Sequence, residues 1–384
     1  MRIFQKERKF HIDPVLSSFL HLSRWIAALM VVLSHVRAVT FPPYSQLGEN
    51  GWQWKIFYYM TSLGHEAVMI FFILSGFLIG GEVLRGMLNE DFNWKKYFTK
   101  RVIRLYIVLI PALFLTFVWD HVGYRFFNDF NAYDRFFEKG KETIETFLLN
   151  FSMLQHSYGP LFGSNDPLWS LAYEFWYYLF FPIGMIIILS NSWKNRFLAL
   201  SAFLFLAAVL NKMILLYFFV WLTGVGIWFV RENLVTKIKY SPLLLWISFL
   251  GVLTFSRFKE GFWGDFLLGL VFALTILYIK SGPKISKASE SFITAKFHPF
   301  MADFSYSLYL LHFPFMLLIA QISYRYFRDF REHTDLSNGL AMGVMILLIY
   351  LYSYSIYYFT ERYYRPAANF ILDHIDHQGK NRDG

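Results

Sequence analysis

Residues 15–38 read VLSSFLHLSRWIAALMVVLSHVRA, an apolar run that nevertheless contains Arg24 and His35. A helix of about 20 apolar residues crosses the hydrocarbon core of a bilayer, which is about 30 Å thick. The run therefore predicts a membrane-spanning helix. A charged side chain near the centre of such a helix costs about 3 kcal/mol on insertion scales, so a charge that is kept there indicates a function.

Arg24 and His35 share one face of this predicted helix. Eleven positions at about 100° each bring His35 to within about 20° of the direction of Arg24, about 16 Å further along the axis. An imidazole suits general-base chemistry, and a guanidinium binds carboxylates or phosphates. One interpretation is that both line one continuous crevice, as a candidate general base and a candidate anion-binding group. The alternatives are a structural histidine and an arginine that extends to the cytoplasmic interface.

The composition of the whole chain agrees with a membrane protein. Of its 384 residues, 56% are hydrophobic, 21% aromatic and only 16% charged, whereas soluble domains have about 25% charged residues. The absence of cysteine excludes disulfides, thiolate metal sites and cysteine nucleophiles. No metal-ligand spacing and no phosphate-binding loop is present, so no metal site is predicted. The net charge of +9 follows from membrane topology, and nucleic acid is not an expected partner.

Apolar segments of spanning length recur along the chain and predict an all-α, polytopic bundle of about ten transmembrane helices. Asn211-Lys212 and residues 257–261 interrupt two stretches that are too long for single spans, so each is predicted to be a helical hairpin. The segments are 15–38, 63–84, 102–122, 167–190, 197–211, 213–230, 242–256, 262–280, 302–324 and 340–360.

The distribution of Lys and Arg orients this bundle. With the N-terminus inside, cytoplasmic segments hold 23 of these residues and outer segments hold 12. The positive-inside rule therefore places both termini in the cytoplasm. We expect a short cytoplasmic segment at 1–14, the transmembrane domain at 15–360 and a cytoplasmic tail at 361–384. The outer loop at about 123–166 is either a functional lid or an incidental ordered cap.

Two motifs near the cytoplasmic side have alternative explanations. Ser75, within Phe71-Phe72-Ile73-Leu74-Ser75-Gly76-Phe77, suits a binding site, but small residues in a span also serve close helix packing. Arg101 and Arg104 share a helix face where the third span enters the membrane. They would clamp the phosphates of a nucleotide-containing donor or contact anionic lipid headgroups.

Two later spans carry further polar groups. The fourth contains Trp169 and Glu174: the indole would stack on a sugar or lie in an interfacial aromatic belt. The carboxylate would orient substrate or form a buried ion pair with Arg24. The ninth has Tyr306, Tyr309 and His312 at intervals of three, which predicts a polar stripe facing the bundle interior. This stripe would bind substrate or pair internally.

Taken in order, these motifs resemble those of the acyltransferase 3 family of membrane acyltransferases over nearly the whole chain. No single motif is specific, but the ordered set is. The matching residues are Arg24 with His35, Phe71-Phe72 through Ser75-Gly76-Phe77, Arg101 with Arg104, Trp169-Ser170-Leu171 with Glu174, Tyr306-Ser307-Leu308-Tyr309 with His312, and Glu361-Arg362.

The resemblance implies a ten-helix enzyme of the bacterial inner membrane. It would move an acyl group, usually acetyl, from cytoplasmic acyl-CoA to a carbohydrate hydroxyl, with no bound cofactor. The acceptor would be a polysaccharide, a lipopolysaccharide or an oligosaccharide. The resemblance further assigns roles to named residues: His35, Arg24 and Glu174 catalytic; Arg101, Arg104 and Ser75 donor-binding; Trp169, Tyr309 and His312 substrate-binding.

The chain also departs from the family pattern. Met69 stands where many members carry an acidic residue, with Glu66 one turn earlier, and Lys100 stands where a third arginine is common. No appended extracytoplasmic domain is expected, so the chain would transfer directly or with a glycan-assembly partner protein. The rival from another class is a transporter or flippase of a glycan or other polar solute, in which buried charges mark a pathway.

Overall fold

The fold is described from a computed structural model that covers residues 12–47, 51–128, 141–230, 242–259, 261–282, 291, 293–332 and 334–380. Within these ranges the chain is helical and contains no strand. Predictions for residues 1–11, for 129–140 of the outer loop and for the basic segments around 231–241 and 283–290 lie outside the described residues. The α-helices are α1 (Pro14–Thr40), α2 (Trp52–Met60), α3 (Gly64–Ser75), α4 (Gly81–Leu88), α5 (Trp94–Phe127), α6 (Ile144–Phe151), α7 (Leu168–Leu189), α8 (Trp193–Val209), α9 (Lys212–Gly226), α10 (Pro242–Phe258), α11 (Phe262–Lys280), α12 (His298–Asp303), α13 (Ser305–Tyr326), α14 (Leu336–Phe359) and α15 (Tyr364–Lys380).

Each of the ten predicted segments corresponds to a helix, but the helices differ in length. Seven stretches are long and apolar enough to cross a membrane: Pro14–Gln46, Trp52–Leu88, Trp94–Phe127, Leu168–Leu189, Phe262–Lys280, Ser305–Tyr326 and Leu336–Ile375. The other three predicted spans, α8, α9 and α10, have 17, 15 and 17 residues. The described part of the chain is therefore all-helical and contains seven membrane-spanning candidates. The predicted spans α8, α9 and α10 are shorter helices.

The two predicted helical breaks are confirmed. Asn211 separates α8 from α9, and its side chain accepts a hydrogen bond of 2.8 Å from the backbone N–H of Met213, which caps the new helix. Gly261 precedes α11 with φ +134°, a conformation that favours glycine. The polar interruptions in the apolar stretches thus end one helix and begin the next.

Two helical regions extend beyond the predicted spans. Helix α5 begins at Trp94, because the Asn93 side chain accepts from the backbone N–H of Lys96 at 2.9 Å and caps the helix there. The basic motif is therefore helical throughout. The expected tail is also folded: Tyr364–Lys380 is a helix that packs along α5.

The chain divides into two compact units. Unit one contains Met1–Ala27, His65–Phe92 and Tyr173–Ala302. Within it, α9 crosses α3 and the following π-turn at very short range: a Cβ at Gly76 would clash with the carbonyl oxygen of Trp221, and a Cβ at Gly224 with that of Ile73. Small residues at such crossings allow close helix packing in membranes.

Unit two contains Ala28–Gly64, Asn93–Ala172 and Asp303–Gly384. Its central element is α13, which packs along both α5 and α14. Aromatic side chains fill these contacts: the rings of Phe315 and Tyr352 stack with centroids 4.0 Å apart, and Trp119 donates its indole N–H to the Tyr352 hydroxyl at 2.9 Å. The buried face of α13 carries the polar residues described next.

Candidate active site

The centre of the candidate site is a pair of histidines in unit two, His35 on α1 and His312 on α13. Nδ1 of His35 lies 2.8 Å from Nε2 of His312. The ring centroids are 5.1 Å apart and the planes differ by 15°. The distance between the centroids equals the nitrogen–nitrogen distance plus about two ring radii. The two nitrogens therefore lie on the line that joins the ring centres, and the rings meet edge to edge through a hydrogen bond instead of stacking face to face. Phe313 packs edge-on against His35 at 4.9 Å and fixes its ring orientation.

His312 is held by the backbone of its own helix. Its Nδ1 donates to the carbonyl oxygens of Tyr309 at 2.7 Å and Leu308 at 3.1 Å. His312 is completely buried, whereas His35 is partly exposed. His35 is therefore the member of the pair that can reach a substrate. The pairing itself was not predicted, because 277 residues separate the two histidines in sequence.

The predicted polar stripe on α13 does face the interior and pairs internally. The hydroxyl of Tyr309 lies 2.6 Å from that of Ser170, at the start of α7. The hydroxyl of Tyr306 donates to the carbonyl oxygen of Leu105 at 3.0 Å. Trp169 is half-buried beside Ser170. Unit two therefore brings together His35, His312, Tyr309 and the Trp169-Ser170 segment.

The described part of the connection at about 123–166, which was predicted to lie on the outer face, is anchored to the same helices by buried polar groups. Asp120 of α5 accepts hydrogen bonds from the backbone N–H and the hydroxyl of Ser164 at 2.7 and 2.6 Å. The Asn165 amide donates to the Thr116 hydroxyl at 2.9 Å and to the carbonyl oxygen of Leu310 at 3.1 Å. These bonds hold the segment that leads into Ser170. Sequence reasoning missed them, although Asp120 is a charged residue within the predicted third span.

Gly163 and Glu142 complete this anchor. Gly163 has φ +58°, and a Cβ there would clash with the Asp120 carboxylate. Its N–H donates to the carbonyl oxygen of Lys141 at 3.2 Å, which joins two parts of the loop at residues 141 and 163. Burial, together with the nearby Asp120 carboxyl, raises the pKa of Glu142 to about 7. The loop therefore carries a carboxyl that titrates near neutral pH.

The two arginines of the basic motif are engaged differently. Arg104 forms an ion pair of 2.6 Å with Glu361, which is 1% exposed. The other carboxylate oxygen of Glu361 accepts from the backbone N–H and the hydroxyl of Ser307 at 3.0 and 2.6 Å. Arg101 lies over the ring of Tyr97, with its guanidinium carbon 5.6 Å from the ring centre. Glu361 was noted in the sequence, but its partner was not predicted.

Other predicted site residues lie in unit one. Glu174 accepts a 2.5 Å hydrogen bond from the Tyr178 hydroxyl, one turn further along α7. Ser75 accepts from the indole N–H of Trp221 at 3.1 Å, within the close helix crossing, which fits the packing explanation. Arg24 lies half-buried on α1, which continues unbroken to His35.

Unit one also contains a buried polar cluster that sequence reasoning missed. Asp265 is 1% exposed and accepts from Tyr217 at 2.8 Å and Ser256 at 3.2 Å, with Nε2 of His65 at 2.9 Å. Glu66, the acidic residue noted beside Met69, is 2% exposed. The signal in the sequence that could have indicated this cluster is the presence of two charged residues, Glu66 and Asp265, in apolar helices.

Comparison with protein families identifies the family to which this chain belongs. The family model described as an acyltransferase domain, that of acyltransferase 3, matches residues 17–358. The chain belongs to the acyltransferase 3 family. Together with the apolar helices, this membership identifies a multi-pass membrane protein.

Two curated proteins are similar to parts of this chain. An uncharacterized protein of Haemophilus influenzae is 30% identical over 187 residues, which cover 47% of this chain and 66% of the relative. A protein of Shigella phage Sf6 named O-acetyl transferase is 30% identical over 165 residues, which cover 41% of this chain and 42% of the relative. The chain therefore spans less than two thirds of either relative. No solved structure matches it significantly.

Proposed function

We propose that this protein is an O-acyltransferase that moves an acyl group, most simply acetyl, from acyl-CoA to a hydroxyl of a cell-surface or secreted carbohydrate. The observation that carries the proposal is the His35–His312 pair inside a chain of the acyltransferase 3 family. The name of the phage relative supports an acetyl group and an oxygen acceptor. No bound cofactor is needed, because acyl-CoA is consumed as a co-substrate.

His35 acts as the general base in the simplest mechanism. The oxygen of the acceptor hydroxyl bonds to the thioester carbonyl carbon while its proton passes to His35. The carbon–sulfur bond then breaks, and the proton is returned to the thiolate, so that the products are an ester and free CoA. Positioned general-base catalysis contributes about 10²–10⁴-fold to such a step.

A second route uses the same residue as a relay. A ring nitrogen of His35 attacks the thioester carbonyl carbon, the carbon–sulfur bond breaks, and CoA leaves as the thiolate, which takes a proton from water. The oxygen of the acceptor hydroxyl then bonds to the acyl carbon, the bond to histidine breaks, and the hydroxyl proton is released to water. This route would let the donor and the acceptor react at different times, as transfer across a membrane requires. Both routes need His35 to be unprotonated on the reacting nitrogen.

The remaining site residues have supporting roles in the proposal. Arg101 contacts the phosphates of the donor, while Arg104 is fixed beside it by Glu361. Arg24 and Glu174 hold or orient charged groups in unit one. Ser75, the third predicted donor-binding residue, lies in the same unit, where it accepts a hydrogen bond from Trp221. Trp169 and Tyr309 contact the carbohydrate. The positive-inside distribution supports cytoplasmic termini. We further propose a bacterial inner membrane as the location and a glycan-assembly protein as a further partner.

Mass spectrometry of surface glycans tests the function in cells. A strain that carries the gene should show glycans heavier by one acyl group than a strain without it, and the shift should disappear in His35→Ala. His121→Ala is the matched control, because His121 is an exposed histidine that stacks on Phe117. Unchanged glycan acylation in His35→Ala, at wild-type protein levels, would refute the assignment.

A further inference from the structure

We propose that His312 is a positioning residue that holds His35 in the tautomer with its hydrogen on Nδ1, which makes Nε2 of His35 the nitrogen that reacts. The catalytic consequence of this inference rests on the proposed function, but the tautomer of His35 can be measured without any substrate. It assigns to His312 a role other than substrate contact.

The first step fixes the proton of His312. Its Nδ1 lies 2.7 and 3.1 Å from two carbonyl oxygens of α13. A carbonyl oxygen only accepts hydrogen bonds, so Nδ1 of His312 must carry the hydrogen. In a neutral imidazole the second nitrogen is then an acceptor. Nε2 of His312 therefore presents a lone pair, and it does so at a site that is completely buried.

The second step transfers this constraint to His35. Its Nδ1 lies 2.8 Å from the accepting Nε2 of His312, and the two rings are nearly coplanar. Two lone pairs cannot form this bond, so Nδ1 of His35 donates. Nε2 of His35 is then unprotonated. Among the described residues, the bond to His312 is the hydrogen bond that His35 makes, so Nε2 is available to a substrate.

The arrangement also favours the charge that develops during the reaction. When Nε2 of His35 accepts a proton or an acyl group, the ring becomes cationic and its Nδ1–H bond to His312 becomes charge-assisted. Such bonds are about twice as strong as neutral ones. The carbonyl oxygens behind His312 accept from it and add further negative potential. The dyad thus resembles the orienting pair of a catalytic triad, with His312, held by helix carbonyls, in place of the carboxylate.

Nitrogen NMR of the full-length protein in detergent tests the tautomer directly. With ¹⁵N-labelled histidine and His35→Ala to assign the signals, His35 should show a protonated Nδ1 and an unprotonated Nε2 near neutral pH. In His312→Leu the acceptor is lost and His35 should populate both tautomers. A protonated Nε2 in the wild-type protein, or unchanged His35 signals in His312→Leu, would overturn the inference.

Transfer kinetics separate positioning from packing. His312→Leu should lower kcat by about 10²-fold or more, with little change in the KM for acetyl-CoA. His312→Gln, whose side-chain oxygen can accept from His35, should recover at least about tenfold of that loss. Equal activity of the two variants, with both folded, would contradict a positioning role. If the NMR result holds and no variant or wild-type protein transfers acetyl, the proposed function fails and the tautomer assignment stands.

Discussion

The ion pair between Arg104 and Glu361 offers a quantitative test of how unit two is held together. Glu361 is 1% exposed, forms an ion pair of 2.6 Å with Arg104 and accepts two hydrogen bonds from Ser307, at 3.0 and 2.6 Å. Replacing Glu361 with Ala removes the charge that pairs with Arg104 and the acceptor of both Ser307 donors. Breaking a buried pair in this way typically destabilises a protein by about 3–5 kcal/mol. Because the Arg104 side chain is 24% exposed, we expect a value near the lower end, about 3 kcal/mol.

A double-mutant cycle isolates the pair from its surroundings. Unfolding free energies of the wild type, Glu361→Ala, Arg104→Ala and the double variant would be measured in mixed micelles by titration with a denaturing detergent. Groups in direct contact show coupling energies of about 0.5–3 kcal/mol, and we expect a value above about 1.5 kcal/mol. Ser307→Ala, which loses one hydrogen bond to a charged acceptor, should cost about 1.5–3 kcal/mol. A coupling energy near zero, or a Glu361→Ala variant as stable as the wild type, would refute this account.

Three further substitutions test the donor site and the outer loop. Arg101→Ala should raise the KM for acetyl-CoA at least about tenfold, as expected when a charge-assisted phosphate contact is lost. Loss of its contact with the Tyr97 ring should lower the unfolding free energy by about 0.5–1 kcal/mol. Lys96→Ala is the control, and equal KM values would contradict the role. Glu142→Gln should flatten the pH dependence of the protection factors of amides around residue 142, which are exchange rates corrected for the intrinsic effect of pH. With a pKa raised from 4.5 to about 7, Glu142 stabilises the loop at low pH, and this contribution is lost as pH rises through about 7. Protection factors that keep their pH dependence in the variant are the adverse result. Gly163→Ala should destabilise the protein by about 1–3 kcal/mol, because residue 163 has a positive φ and the added Cβ would clash with Asp120. Gly339→Ala is the control, since a Cβ there meets nothing within 4 Å. Similar stabilities of the two variants would count against the anchor.

The sequence predicted the helices well because hydropathy and length act locally. A polar pair such as Asn211-Lys212 cannot be buried in lipid within a long helix, so its presence alone marks a break. The predicted span at 102–122 lies within the longer helix α5, because the apolar pattern begins only after basic residues that the helix already contains. The 15-residue α9 shows that a hydropathy pattern marks a helix without fixing whether it is long enough to span alone.

The site was predicted only in part. Periodicity put Tyr309 and His312 on one interior face, but it could not name the helix opposite. The His35–His312 bond joins residues 277 positions apart, and the Arg104–Glu361 pair likewise joins distant segments. Such pairings depend on how helices pack, which a single sequence does not encode in any local pattern. The identity of Arg104's partner therefore came from the structure.

The central claim is that His35 carries acyl transfer, and purified protein in lipid vesicles tests it most directly. Radiolabelled acetyl-CoA would be supplied with glycans extracted from a strain that lacks the gene, and alkali-labile label in the glycan would be counted. The account predicts ester-linked label with the wild type and with His121→Ala, and a loss of at least about 10²-fold with folded His35→Ala. Wild-type rates of labelling by His35→Ala would contradict it.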